Sequence, residues 1–71
     1  MKTELLYFDL AENKYLFPEP ITSDGFIFIP NTGDTLILNG WGYIITRNEY
    51  RYEAGITKIE IFCMRERKKR K

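Results

Sequence analysis

Apolar and polar residues change places at every second position near the end of the chain. In Ile56-Thr57-Lys58-Ile59-Glu60-Ile61-Phe62-Cys63-Met64, Ile59, Ile61 and Cys63 share one side, and Lys58 and Glu60 share the other. That period of two is the mark of a strand with one covered face. Before it, Glu53-Ala54-Gly55 fits a three-residue hairpin loop with a left-handed glycine. Tyr43 to about Tyr52 then fits the partner strand. Under regular alternation Tyr43 and Ile45 fall on one face, and Tyr50 and Tyr52 on the other. One extra residue near Arg47-Asn48 puts all four on the same face and turns Glu49, Arg51 and Glu53 to solvent. The pattern therefore predicts a β-bulge there, which also supplies the bend a small barrel needs.

The rest of the chain reads the same way. Glu4 to Leu10 is a first strand, Ala11 to Lys14 a polar turn, and Tyr15 to Phe17 a short strand pairing back. Pro18-Glu19-Pro20 stops the ladder, because proline donates no hydrogen bond, and Ile21 to Gly25 reads as loop. Phe26 to Ile29 is a third strand, apolar at every position and so expected to be covered on both faces. Asn31 to Asp34 has turn composition, Thr35 to Leu38 is a fourth strand, and Asn39-Gly40 is a type I′ hairpin dipeptide. Trp41-Gly42 follows at once, which leaves room for a longer loop. No window shows helical periodicity.

Several of these strands are apolar on both sides: Leu5 to Phe8, Phe26 to Ile29, Leu36 to Leu38, and Phe62 and Met64 opposite Ile61 and Cys63. A small barrel has one inner face, so the surplus predicts an exposed apolar face. Such a patch marks a partner surface, and a homodimer or another protein is the expected partner. Otherwise the Pro18–Gly25 loop and the N-terminal hairpin cover that face.

Composition narrows the reading. Seventy-one residues make one domain of limited burial, here residues 1–64. With a single cysteine and no histidine, neither an intrachain disulfide nor a Cys/His zinc site can form. The apolar fraction of 44% is ample for a core. No apolar run is long enough for a membrane span, and Glu4 and Asp9 interrupt any signal-like stretch. A cytoplasmic protein is expected. The net charge of +1 conceals a split. Residues 1–64 carry a net −4, and residues 65–71 a net +5. That basic tail is expected to be disordered.

The tail is the first candidate site. Arg65, Arg67, Lys68, Lys69, Arg70 and Lys71 could neutralise phosphates of a nucleic acid, or meet an acidic partner or anionic membrane surface. They serve equally as a solubilising end. Trp41, between two glycines, either stacks a base or anchors a peptide, or else plugs the end of the barrel. Arg47, Tyr50, Arg51 and Tyr52 interleave cations with aromatics, as single-strand binders do. Core tyrosines beside solvent-facing arginines give the same string. Asp34 reads as a turn aspartate more readily than as a catalytic or metal-binding one. Cys63 has no histidine to activate it and reads as a core residue. No phosphate-binding loop or dinucleotide motif is present. Catalytic residues, cofactors, metals and small-molecule ligands are therefore not inferred.

The run Pro30-Asn31-Thr32-Gly33-Asp34-Thr35-Leu36-Ile37-Leu38, with the later Tyr43-Ile44-Ile45-Thr46-Arg47, resembles the Gly-Asp-then-strand pattern of SH3-like small barrels. The resemblance implies a fold type and no functional residue. The expected object is an all-β antiparallel barrel or partly open roll of five to six strands. Its expected role is that of a non-catalytic interaction module that self-associates through an apolar sheet face. Nucleic-acid binding through the tail and exposed aromatics is the alternative.

Overall fold

The alternating C-terminal segment is the centre of the sheet. A computed structural model describes residues 2–25 and 27–70, and these form six strands and no helix. They are β1 (Lys2–Asp9), β2 (Lys14–Tyr15), β3 (Ile21–Ser23), β4 (Thr35–Leu38), β5 (Trp41–Glu53) and β6 (Ile56–Arg65). The order across the sheet is β2-β1-β6-β5-β4, with β3 also paired to β1. The sheet is open and mixed. β6 runs antiparallel to β5 but parallel to β1, with Leu5 opposite Ile59 and Tyr7 opposite Ile61. The expectation of a purely antiparallel sheet is corrected by that one pairing. It joins the two ends of the chain, so no local turn signal announces it.

One face holds the core. Leu5 and Tyr7 of β1, Tyr43 and Ile45 of β5, and Ile59, Ile61 and Cys63 of β6 are buried together. The alternation of β6 thus lands as the sequence pattern requires. Leu16, Phe17, Ile27, Ile29, Leu36, Leu38 and Trp41 pack over this layer. Burial of these side chains removes apolar surface from water at about 25 cal/mol per Å².

The bulge exists, slightly earlier than the sequence suggests. Ile45 faces Cys63 and Arg47 faces Phe62, so Thr46 is the extra residue. Its hydroxyl donates 2.9 Å to the Phe62 carbonyl, which satisfies the partner strand at the irregular step. Beyond it, Asn48 faces Ile61 and Tyr50 faces Ile59. Tyr43, Ile45, Tyr50 and Tyr52 therefore do share one face, and Arg47, Glu49, Arg51 and Glu53 take the other. The reading of Tyr50 and Tyr52 as core residues is corrected, however. Tyr50 is 51% and Tyr52 78% exposed, because the covering layer stops short of them.

Other differences are local. β5 and β6 are joined by Ala54–Gly55 alone, with Gly55 at φ 77 and Glu53 still in the strand. The Asn39–Gly40 turn needs no extra residues. Both have positive φ, as type I′ demands, and Leu38 pairs directly with Trp41. The prolines at 18 and 20 interrupt pairing without ending it. β2 and β3 both run against the outer edge of β1, at Phe8–Asp9 and Thr3–Leu5. Residues 27–29 form a covering segment and no strand, with Phe28 69% exposed. Pro30 removes a ladder donor beside them. Phe26 of that expected strand lies outside the described residues.

Candidate interaction surfaces

β5 separates the sequence candidates into two groups. Trp41 opens the strand and Tyr50 lies nine positions on, which is about 30 Å along an extended chain. Trp41 is half-buried against the core, with the Arg65 guanidinium 4.4 Å above its ring. It closes that end of the core layer and keeps one face in a cation–π stack. Arg65 belongs to β6 and pairs with Glu12 at 3.1 Å.

The basic segment turns back beside Trp41. The Glu66 N–H donates 2.8 Å to the Gly42 carbonyl, and the Arg70 N–H donates to the Gly40 carbonyl. Arg70 forms a bidentate pair with Glu66, both contacts at 2.8 Å. Glycine at 42 leaves the room in which this pair sits. A Cβ there would strike the Glu66 carboxylate and lie 3.1 Å from Arg70 Nε. The Arg70 hydrogen bond holds the Glu66 carboxyl below its ordinary range, and Glu66 raises Arg70. Arg67, Lys68 and Lys69 are exposed and take part in none of the described ion pairs. Lys71 lies outside the described residues.

At the far end, tyrosines and arginines part company. Tyr50 and Tyr52 stand on the core face, and Arg47 and Arg51 on the other. They do not form one mixed platform. Arg47 lies 4.0 Å above the Phe62 ring and pairs with Glu49 at 3.1 Å, while Arg51 pairs with Glu60 at 3.6 Å.

The outer face joins what the sequence left as surplus. Opposite the core, register places Ile37, Ile44, Met64, Phe62, Phe8 and Tyr15 in one stripe across all of β4, β5, β6, β1 and β2. Phe8 packs edge-on against Tyr15 at 5.0 Å and Phe62 at 5.9 Å. Ile37, Ile44, Met64 and Tyr15 are each between 42% and 49% exposed. Neither Pro18–Gly25 nor the N-terminal hairpin removes this stripe from solvent.

The remaining polar groups read as structure. Asp34 Oδ2 accepts 2.8 Å from the Asn31 N–H, and the Asp34 N–H donates back to the Asn31 carbonyl at 3.0 Å, closing its own turn. An open cavity of about 280 Å³ lies between Tyr7, Phe28, Pro30, Asp34, Thr35 and Leu36. Its lining offers one carboxylate. Asp9 is 1% exposed, with Oδ1 accepting 2.9 Å from the Ala11 N–H and Oδ2 lacking a protein partner. Beside it, burial and then the Asp9 charge push the Cys63 thiol up to about 11. The Tyr43 phenol is raised by burial and then by Asp9. A thiol so raised is a poor nucleophile near neutrality. Among the described residues no three His, Cys, Asp or Glu side chains gather as a metal site, and no helix is long and apolar enough to cross a membrane.

The outer stripe was legible as a surplus of apolar positions. The docking of Glu66 and Arg70 was missed, although Gly42 in a strand is the signal that another group approaches closely. No family model, curated protein or solved structure matches the chain.

Proposed function

We propose that this chain is a small non-catalytic interaction module, built on an open roll of the SH3-like kind that is bent at Thr46. Its working surface is the outer apolar stripe, through which it self-associates. The observation that carries this reading is the exposure of Ile37, Ile44, Met64 and Tyr15 on one continuous face. A contiguous apolar patch loses unfavourable hydration when a partner covers it. Light scattering over rising concentration tests it. The wild type gains mass, and an Ile44→Asp/Met64→Asp variant gains less. A wild-type mass that stays monomeric at high concentration contradicts the reading.

Nucleic-acid binding is the second reading. In its favour, Arg65 on the Trp41 ring and the exposed Arg67, Lys68 and Lys69 meet at one end of the molecule. Removing residues 65–71 then abolishes binding, and affinity falls by orders of magnitude as salt rises. Binding unchanged by the truncation contradicts it.

A further inference from the structure

The last third of β5 is an open sheet edge. Its inner side pairs with β6 as far as Glu53, but β4 stops opposite Ile44. The loop before β4 makes the last contacts on the outer side. The Gly33 N–H donates 2.8 Å to the Ile45 carbonyl, and the Ile45 N–H donates 2.8 Å to the Asp34 carbonyl. From Arg47 to Glu53 no strand among the described residues pairs with that edge. Such an edge is a template for another strand.

Its phase follows from the turn. Glu53 faces Ile56 across the two-residue loop, so the backbone groups of Glu53, Arg51 and Glu49 address β6. Alternation then directs those of Asn48, Tyr50 and Tyr52 to the open side.

The sequence of this edge is complementary to its own reverse. Arg47-Asn48-Glu49-Tyr50-Arg51-Tyr52-Glu53 can lie antiparallel to a second copy about a two-fold axis at Tyr50. Arg47 then faces Glu53 of the second copy, Glu49 faces Arg51, Asn48 faces Tyr52, and Tyr50 faces Tyr50. Both senses of each charge pair occur, on the outer face. Every residue whose backbone points outward meets another that does so. Sliding by two residues, the smallest slip that keeps the faces, sets Glu49 against Glu49 and Arg47 against Arg51, or Arg51 against Arg51 and Glu49 against Glu53. Like charges directly opposite destabilise a pair of strands. Edges that avoid association are blunted by charge, proline, bulges or a covering element. This edge repels in the two neighbouring registers and makes all four opposite-charge pairs only when centred on Tyr50; a slide of four residues keeps two of them.

We propose that two copies of this chain join through their β5 edges, antiparallel and centred on Tyr50, to form one continuous sheet. This surface is distinct from the outer stripe, and the pairing sets the two stripes side by side on one face of the joined sheet. The exposure of Tyr50 and Tyr52 beyond the covering layer is then explained: they meet Tyr50 and Asn48 of the second copy. The pairs Arg47–Glu49, Arg51–Glu60 and Lys58–Glu53 within one chain are all solvent-exposed in part. Exchanging or sharing such partners disturbs the fold little.

Charge-swapped variants test the register by sedimentation equilibrium. Glu49→Arg alone and Arg51→Glu alone each put like charges opposite, and each weakens self-association about tenfold or more. An equal mixture of the two variants restores a heterodimer of wild-type strength. Positions 49 and 51 are then both cationic in one chain and both anionic in the other, so each cross-strand pair is again of opposite sign. A folding defect gives no such rescue. In parallel, amide exchange at Asn48, Tyr50 and Tyr52 slows as wild-type concentration rises. Single variants that dimerise like the wild type, a mixture that stays monomeric, or exchange at Tyr50 unchanged by concentration would overturn the proposal. The Ile44→Asp/Met64→Asp variant separates the two surfaces. It keeps the edge dimer if the proposal holds, whatever becomes of the outer stripe.

Discussion

Asn48 Nδ2 donates 2.8 Å to the Pro30 carbonyl and so fastens the covering segment to the core face of β5. The two residues are 18 apart in sequence. Pro30 is buried and Asn48 half-buried, facing Ile61 across the ladder. Asn48→Ala leaves a buried carbonyl without its donor. The expected cost is about 1–2 kcal/mol, measured by urea denaturation. Faster amide exchange in residues 27–34 accompanies it. An unchanged midpoint shows that the segment is held by its apolar contacts alone.

Thr46 is the extra residue that keeps both halves of β5 in phase with β6. Deleting it joins Ile45 to Arg47, which already lie on opposite faces across from Cys63 and Phe62. Tyr43, Ile45, Tyr50 and Tyr52 then keep their face, and only the bulge and its bend are lost. The deletion is expected to fold with Tyr50 still facing Ile59, seen as a retained cross-strand nuclear Overhauser contact. Thr46→Ala removes only the bond to Phe62 and costs about 0.5–1.5 kcal/mol. A deletion variant in which Tyr50 no longer faces Ile59 excludes Thr46 as the extra residue.

How much of this was open to reading from the chain depends on whether the decisive contact is local. The faces of Tyr43, Ile45, Ile59, Ile61 and Cys63 follow from alternation alone. A bulge was required once Tyr50 and Tyr52 had to share their side, though its position at Thr46 rather than Arg47-Asn48 depends on the partner strand. β3 was hidden because Ile21-Thr22-Ser23 lacks an apolar pattern and gains its ladder from β1. The exposure of Tyr50 and Tyr52 was hidden for the opposite reason. Their pattern is that of core residues, and only the reach of a distant loop leaves them in solvent. The two-fold complementarity of Arg47 to Glu53 lies in the sequence itself, but it acquires meaning only when that segment is known to be an edge.

Cys63 makes the fold sensitive to alkali. Its thiol is raised from an ordinary 9.0 to about 11 by burial and then by Asp9. The neutral form is favoured in the folded state, so this stability is intact below pH 9 and is lost as pH rises from 9 toward 11. The linkage is on the order of 2–3 kcal/mol. Tyr7 and Tyr43, both raised mainly by burial, act in the same direction at somewhat higher pH. Denaturation at stepped pH is expected to show the fall, and Cys63→Ala to remove its first part. A flat profile to pH 11 contradicts it.

Gly42 governs the C-terminal segment. Gly42→Ala places a methyl on the Glu66 carboxylate and displaces the Glu66–Arg70 pair. Trypsin is expected to cut after Arg67, Lys68 and Lys69 several-fold faster, with the thermal midpoint of the sheet little changed. Glu66 is held below the ordinary carboxylate range, so its contribution persists at neutral pH and is lost as pH falls through its lowered value. Acid therefore releases the segment in the wild type as well. Equal cleavage rates for variant and wild type show that Gly42 does not position it.

The outer stripe is tested most directly by methyl NMR of the full chain across a concentration series. Ile37, Ile44 and Met64 are the reporters, and the buried Ile59 and Ile61 are the internal references. The Ile37, Ile44 and Met64 methyl signals are expected to shift and broaden together as concentration rises, while those of Ile59 and Ile61 stay in place. Stripe methyls that remain unmoved at every concentration would contradict self-association through the outer stripe.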